Sequence, residues 1–195
     1  MFSEVKSGDG SLKLYSDDET GKLFSRFKGG LSFAGFAVVI GEQYNTDPGK
    51  TGLLKVLAEA QESNLHDLAK RVGTLQSLYP VSRWTCDEEG DGAELAKLFE
   101  HFAEKLELKV SLTQQSLPAD LNLSLQVIRR HFKQRTIQMP EGGILAGKVE
   151  ALARMAPGEA KPEDFEEVIV FGAVVHKFDT ETWPPSSYVP GLPRI

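Results

Sequence analysis

The order of hydrophobic patterns along the chain predicts a mixed α/β fold, in which one sheet is flanked by helices. Three apolar or alternating segments joined by short turns come first, and alternating helix and strand patterns follow them. A meander followed by αβ units places antiparallel and parallel neighbours in the same sheet. The length of 195 residues suits one domain with small appendages.

The ends of the chain differ in composition from its middle. Residues 1–10 are polar and contain two glycines, which predicts a loose tail. Residues 179–195 carry Trp183 and four prolines, which favours an extended arm that docks on a protein partner, or a disordered end. We therefore expect a single domain over residues 11–178.

The first half of that domain is expected to be mostly strand. Leu12–Tyr15 forms a short strand, and the alternation over Lys22–Lys28 predicts a longer one that Gly29-Gly30 breaks. The apolar run Phe33–Ile40 predicts a buried strand. Leu53–Glu62 is rich in helix-favouring residues, but its place after two strands favours the third strand of a meander.

Alternating helices and strands follow. Apolar residues from Leu65 to Tyr79 share one helical face, which Ser63 or Asn64 caps and Pro80 ends. The next elements are a strand at Val81–Cys86, a helix begun by a capping box of Asp91 and Glu94, and a strand at Leu108–Leu112.

The last third of the chain is predicted to be mainly helical. We expect helices at Leu121–Phe132, Ile144–Met155 and Glu163–Phe178, and a short strand at Thr136–Met139 that Pro140 ends. The valines within 163–178 would suit a strand equally well.

An acidic strand tip is the strongest functional signal. Asp87-Glu88-Glu89-Gly90-Asp91 follows a predicted strand and precedes a predicted helix. Ligands and metals commonly bind at such tips in open α/β sheets. The same pattern also fits a solvated acidic turn in which Asp91 caps the helix.

The charge balance argues against a protein that coats nucleic acid by bulk charge. The net charge is −6 and the isoelectric point is about 5.3. A local basic groove would be needed instead, and the one basic cluster is formed by Arg129, Arg130, Lys133 and Arg135. This cluster either binds phosphates or is the solvated face of a helix whose Phe132 lies in the core.

A reducing cytoplasm is the expected location. The single cysteine, Cys86, excludes an internal disulfide framework and a cysteine-rich zinc site. The first residues lack the pattern of a signal peptide, and no apolar run approaches the ~20 residues of a membrane helix. Cys86 lies within a predicted strand, where a small core residue is more common than a nucleophile.

The pattern of strands and acids resembles a known nuclease family over residues 22–178. The matching segments are Phe24–Gly30, Phe33–Ile40, Leu75–Tyr79, Val81–Asp87, Gly90–Leu98, Arg135–Pro140 and Asp164–Ala173. Together they are similar to the nuclease domain of phage large terminase subunits, which has a ribonuclease H-like fold. The resemblance implies a five-stranded mixed sheet of strand order 3-2-1-4-5, and a phage, prophage or bacterial source.

The resemblance also implies metal-dependent cleavage of a phosphodiester. In that family, carboxylates from the first strand, the fourth strand and the last helix hold two metal ions about 3.5–4 Å apart. Mg²⁺ or Mn²⁺ would be the cofactor, because both prefer oxygen ligands. By position, Asp87 matches the fourth-strand acid, and Asp164, Glu166 or Glu167 matches the acid of the last helix.

The first-strand acid is not found. Ser25-Arg26-Phe27-Lys28 stands where an aspartate is expected, and Glu42 or Asp18 would have to substitute for it. The sequence therefore predicts a degenerate, non-catalytic module that binds nucleic acid or an assembly partner. The alternative is an active nuclease, with catalytic Asp87, Asp164 and Glu167 and metal ligands Asp87, Asp164 and Glu42.

Overall fold

A computed structural model describes most of the chain in atomic detail. The described residues are 2–7, 10–15, 24–43, 52–89, 91–117, 121–155 and 159–180. None of the helices in these ranges is both long and apolar enough to cross a membrane. Asp18 and the proline-rich segment from residue 181 onward lie outside the described residues.

The strands of the described residues form one sheet of eight strands. The strands are β1 (Phe2–Ser7), β2 (Gly10–Tyr15), β3 (Phe24–Ser32), β4 (Phe36–Gln43), β5 (Leu54–Gln61), β6 (Trp84–Asp87), β7 (Leu112–Gln115) and β8 (Ile137–Gln138). Their order is β1-β2-β5-β4-β3-β6-β7, and β8 pairs with β5. β6 runs parallel to both β3 and β7, and β3, β4 and β5 form an antiparallel meander. The mixed sheet predicted from the sequence is confirmed.

The predicted sheet of five strands is too small. The five expected strands lie in the predicted order as β5-β4-β3-β6-β7, although β7 begins at Leu112, where that strand was expected to end. Three further strands lie beyond β5: β2 and β8, which were predicted as short strands, and β1, which was not. The segment expected to be a loose tail forms β1, which pairs with β2 from Phe2 opposite Tyr15 to Ser7 opposite Gly10. β2 in turn pairs with β5, so a distant strand anchors this hairpin.

In the part of the chain that the structure describes, five helices cover the two faces of the sheet. They are α1 (Leu65–Leu78), α2 (Gly92–Lys105), α3 (Leu121–Gln134), α4 (Ile144–Arg154) and α5 (Glu166–Thr180), and a single 3₁₀ turn at Pro162–Asp164 precedes α5. α1 and α2 share one core with the sheet, around Trp84 and Phe99. α3, α4 and α5 share the other core, around Phe171 and Phe178.

β5 is a strand although its composition favours a helix. Leu54 and Val56 belong to the core beneath α5, whereas Ala58 and Ala60 belong to the core beneath α1. The change of face follows from a register shift, since Val39 pairs with Ala58 and the next residue of β4 pairs with Val56. Pairing in the centre of the sheet outweighs the local helix preference.

Gly29 and Gly30 lie inside β3 and do not break it, which corrects the expected end of this strand. A Cβ atom at Gly29 would come within 2.3 Å of the Trp84 ring, and one at Gly30 within 2.7 Å of Val170 on α5. The two glycines therefore admit close packing on both faces of the sheet. As a result β3 continues to Ser32, four residues beyond Lys28.

The start of α2 differs from the prediction, whereas the predicted last helix, α5, is present. Asp91 precedes α2 but its side chain makes no capping hydrogen bond, so the predicted capping box does not form. α5 is confirmed as a helix, and eight consecutive residues from Val168 to Val175 are buried. Its valines tolerate a helix because the sheet, α3 and α4 surround it and bury most of its circumference.

Candidate functional site

Three polar side chains meet where β3, β6 and α5 come together. Leu31 of β3 pairs with Cys86 of β6, so the next residues, Ser32 and Asp87, stand side by side. The Ser32 hydroxyl donates a hydrogen bond of 2.6 Å to the Glu166 carboxylate at the first turn of α5. Because side chains alternate along a strand, Ser32 and Asp87 both face α5.

These residues line an open cavity of about 510 Å³. Its polar and charged side chains are those of Ser32, Asp87, Glu89, Glu163 and Glu166. Leu95 of α2 and Ile169 and Val170 of α5 contribute apolar walls. The acidic strand tip singled out in the sequence therefore lies in a cavity, which we call the acidic pocket.

The hydroxyl of Ser32 makes two hydrogen bonds within the fold. Besides donating to Glu166, it accepts a hydrogen bond of 3.2 Å from the backbone N–H of Ala34. Ala34 belongs to the tight turn between β3 and β4, in which Gly35 has a φ of 116°. Ser32 thus ties the β3–β4 turn to the beginning of α5, and it is 5% exposed.

The backbone after β6 holds Asp87 at the mouth of the pocket. One carboxylate oxygen of Asp87 accepts a hydrogen bond of 3.1 Å from the backbone N–H of Glu89. A Cβ atom at Gly92 would lie 2.8 Å from the Asp87 carbonyl oxygen, so α2 begins directly against the end of the strand. This tight strand-to-helix turn fixes the direction of the Asp87 side chain.

Asp164 and Glu167, the other residues predicted to be catalytic, do not line the acidic pocket. Asp164 is exposed on the 3₁₀ turn, and its backbone carbonyl accepts a hydrogen bond from Lys148. Glu167 is buried and lies 3.3 Å from the Lys148 ammonium group. The acid that α5 presents to Ser32 is Glu166, which the sequence left as one of three alternatives.

Glu42, the predicted substitute for the missing acid, lies at the far end of the β3–β4 hairpin. It pairs in register with Arg26 and forms a buried ion pair with it. Its other carboxylate oxygen accepts a hydrogen bond of 2.7 Å from the Gly52 backbone. Six residues of β3 separate Arg26 from Ser32, which is about 20 Å along the strand.

The β3 residue that stands beside Asp87 is Ser32. Ser25 to Lys28, where the resemblance implied the first-strand acid, lie earlier in β3, away from Asp87. Because Gly29-Gly30 was predicted to end the strand, Leu31 and Ser32 were not predicted as part of β3. The signal that would have found Ser32 is its parallel register with Asp87, which depends on a contact between distant segments.

The donors of the acidic pocket do not fit the two-ion centre that the resemblance implies. Such a centre draws carboxylates from three elements. Here β6 supplies Asp87 and α5 supplies Glu166, but β3 supplies Ser32, whose hydroxyl is already bonded to Glu166. Across the described ranges, no three histidine, cysteine or acidic side chains converge closely enough to hold a metal ion.

The basic cluster predicted in the sequence spreads around α3. Arg130 forms an ion pair with Asp179 and lines a cavity of about 610 Å³ between α3 and α5. Arg129 and Lys133 are exposed on α3, and Arg135 follows the helix with a φ of 55°. Only Arg130 of the four therefore faces this cavity.

The cavity between α3 and α5, which we call the helical groove, begins beside the acidic pocket. Its lining includes Gln115 at the end of β7, and Gln115 pairs in register with Asp87. Farther along, His176 and Lys177 of α5 join Arg130 in its wall. The groove therefore extends from the strand tip to the Arg130 and Lys177 side chains.

Cys86 has the properties of a core residue. It is fully buried against the α1–α2 face of the sheet. Burial, and to a smaller extent the nearby Asp87, Glu100 and Glu88 carboxylates, raise the pKa of its thiol to about 12. A thiol that stays protonated at neutral pH is a poor nucleophile.

Comparison with solved structures finds a similar fold in terminase nucleases. The large terminase nuclease of the thermophilic phage G20c with bound magnesium superposes with a TM-score of 0.54 and 10% identity, covering 89% of this chain and 90% of that one. A zinc-bound structure of the same nuclease gives 0.49 at 10% identity, with coverage of 86% and 90%. The human cytomegalovirus terminase nuclease domain gives 0.47 at 8% identity, with coverage of 83% and 85%.

The sequence comparisons find no relative. No protein-family model matches the chain, and no curated protein matches it. The likeness to the phage G20c nuclease is one of fold. The chain therefore has a ribonuclease H-like fold similar to that of terminase nuclease domains.

Proposed function

We propose that this chain is a ribonuclease H-like module that binds nucleic acid without cleaving it. The observation that carries the proposal is Ser32, which stands beside Asp87 where a first-strand metal ligand would have to lie. Its hydroxyl donates a hydrogen bond to the Glu166 carboxylate instead of sharing a cation with it. The proposal includes a second possible ligand, a protein of a larger assembly to which this module would bind.

The helical groove supports the binding half of the proposal. It joins the strand tip at Gln115 to Arg130, His176 and Lys177. Exposed Arg129 and Lys133 extend the positive charge along α3. Phosphate contacts from such side chains supply most non-specific affinity for nucleic acid, and they do so locally even when the net charge is negative.

A phage or prophage source, a cytoplasmic location and a protein partner for the proline-rich tail remain predictions. The likeness to the phage G20c nuclease supports the first of these only as an analogy of fold. The tail from residue 181 lies outside the described residues.

A metal-dependent nuclease is the second candidate, and one observation favours it. Four carboxylates, those of Asp87, Glu89, Glu163 and Glu166, line the acidic pocket. A rearrangement of Glu89 or Glu163 towards Asp87 would be needed to replace the first-strand acid. Mg²⁺ or Mn²⁺ would then be the cofactor, since both favour carboxylate oxygens.

One pair of assays separates the two candidates. Purified chain and its Asp87→Ala variant are incubated with supercoiled plasmid in Mn²⁺ and in EDTA, and nicked product is followed on gels. In parallel, fluorescence anisotropy measures binding of labelled single- and double-stranded oligonucleotides in EDTA. We expect binding that needs no metal, and no difference in plasmid nicking between the two proteins.

Two results would contradict the proposal. Nicking that requires Mn²⁺ and disappears in Asp87→Ala would establish the nuclease. Absence of oligonucleotide binding at low salt, where phosphate contacts are strongest, would remove the binding function.

A further inference from the structure

A third cavity lies on the same face of the sheet as the acidic pocket, at the beginning of β6 and beside the middle of β3. It has a volume of about 330 Å³. The lining residues are three cations and three hydroxyl-bearing side chains: Lys28, Arg83, Lys177, Ser82, Thr85 and Thr113. Among the described residues, no carboxylate lines it. We call it the basic pocket.

The sheet register assembles this pocket from distant segments. Thr85 of β6 and Thr113 of β7 are register partners, so their side chains stand next to each other on one face. Gly30 of β3 pairs with Thr85, and Lys28 lies two residues earlier and therefore points to the same face. Arg83 directly precedes β6.

α5 supplies the roof of the pocket. Its residues Val170 and Val174 pack where Gly30 leaves room, and Lys177 continues the same helical stripe one turn further. Glu166, four residues before Val170, begins that stripe at the acidic pocket. The same face of α5 thus presents Glu166 at the acidic pocket and Lys177 at the basic pocket.

Two of the three cations of the pocket, Arg83 and Lys177, are not paired with a carboxylate of the described residues. The nearest acid along α5, Asp179, pairs with Arg130 and lies 3.1 Å from His131. The Lys28 ammonium group lies 5.6 Å from the centre of the Phe178 ring, which helps to hold it at the pocket wall.

We propose that the basic pocket binds one phosphate group. Arg83 offers the planar, bidentate donor geometry that matches phosphate oxygens, and Lys28 and Lys177 add two point charges. The hydroxyls of Ser82, Thr85 and Thr113 donate further hydrogen bonds. The volume of about 330 Å³ suits a small anion better than a large cofactor.

The phosphate has two sources, a nucleic-acid strand or a free phosphate ion. The first source rests on the proposed function. It fits the geometry, because Arg83 precedes Asp87 by four residues, or about 13 Å of extended chain. A strand anchored at the basic pocket would therefore have its neighbouring phosphates along β6, in the direction of the helical groove.

Titration of the full chain with inorganic phosphate tests the pocket by itself. Backbone amide spectra are recorded at constant ionic strength, with chloride exchanged for phosphate. We expect saturable shifts centred on Thr85, Thr113 and Lys177. The Arg83→Gln/Lys177→Gln variant should weaken binding by at least about tenfold, because it removes two charge-assisted contacts. The matched control is Lys97→Gln/Lys109→Gln, which neutralises two exposed lysines elsewhere.

Oligonucleotide anisotropy identifies the source. Because Lys177 also lines the helical groove, this experiment uses Arg83→Gln alone, with Lys97→Gln as its control. If Arg83→Gln weakens oligonucleotide binding relative to Lys97→Gln, the phosphate belongs to a strand. If only inorganic phosphate binding falls, the pocket takes a free phosphate ion. If no protein binds oligonucleotide but phosphate still saturates the pocket, the proposed function fails and the pocket stands. If wild type shows no saturable phosphate shifts, or if variant and control bind phosphate alike, the pocket is overturned.

Discussion

The two ends of the α5 face of the sheet are built by the same strands and carry opposite charges. At one end Ser32, Asp87 and Glu166 form the acidic pocket, and at the other Lys28, Arg83 and Lys177 form the basic pocket. The acidic end is tied internally, because Ser32 bonds both Glu166 and the Ala34 backbone. At the basic end, neither Arg83 nor Lys177 forms an ion pair with a carboxylate of the described residues. The two ends therefore differ in internal bonding: the polar side chains of the acidic end bond to one another and to the backbone, whereas these two cations of the basic end are not paired with a carboxylate in the described part of the chain.

The largest expected effect comes from the packing between the two ends. Gly30→Ala should lower the free energy of unfolding by about 2–3 kcal/mol, because its Cβ would collide with Val170 and Val174. Gly147→Ala on α4 is the control, since nothing lies within 4 Å of its Cβ, and it should raise stability by about 0.5–1 kcal/mol. Urea unfolding measures both. Equal effects of the two variants would mean that α5 does not pack on Gly30 as described.

Removing the hydroxyl at the acidic end should have the next largest effect. Ser32→Ala leaves the buried contacts to Glu166 and Ala34 unmade, which costs about 1–2 kcal/mol of folding free energy. Ser77→Ala, whose exposed hydroxyl donates only to the Gly73 carbonyl of its own helix, should change stability by less than about 0.5 kcal/mol. Thermal unfolding distinguishes them. A neutral Ser32→Ala would show that this hydroxyl does not hold the acidic end together.

Charge removal in the helical groove is expected to affect binding rather than folding. Arg130→Gln should weaken oligonucleotide binding several-fold, by about 1 kcal/mol, and lower the slope of log affinity against log salt by about one. Arg154→Gln removes an exposed arginine that pairs with Glu150 on α4, and it should leave both quantities unchanged. Anisotropy at several salt concentrations gives the slopes. If both variants lose affinity equally, the effect is one of net charge and the groove is not the site.

The smallest expected effect concerns Cys86, beside Asp87 but on the other face of β6. Its folded pKa is raised to about 12 from 9.0, so the folded state favours the protonated thiol. This stabilisation is complete well below pH 9, the pKa of the unfolded thiol. It declines as the pH rises through that pKa, because the thiol ionises in the unfolded state before it ionises in the folded state. Cys86→Ala should therefore remove a decline of just under 1 kcal/mol between pH 8 and pH 9.5. An identical pH dependence of urea unfolding in both proteins would contradict the burial of the thiol.

Much of the fold could be predicted because its signals are local. The periodicity from Leu65 to Leu78, with the Asn64 cap, gives α1, and the acidic residues after β6 mark a strand tip that does lie in a cavity. β1 could not be predicted in the same way. Its polar residues become a strand only because β2 pairs with the distant β5.

The site was harder to predict because its register depends on long-range packing. Gly29-Gly30 is a common sign of a strand end, but here Trp84 and α5 need the space that glycine leaves. Once β3 continues to Ser32, the residue beside Asp87 is a serine and the basic pocket forms around Lys28. Neither result can be read from spacing alone.

Titration of Mn²⁺ by calorimetry into wild type, Asp87→Ala and Ser32→Asp tests most directly whether Ser32 has replaced a metal-binding acid. The account predicts no saturable Mn²⁺ binding to wild type. It predicts that Ser32→Asp, which sets a third carboxylate beside Asp87 and Glu166, gains a site. Saturable binding of Mn²⁺ to wild type that disappears in Asp87→Ala would contradict it, because the acidic pocket would then be a metal centre without the first-strand acid.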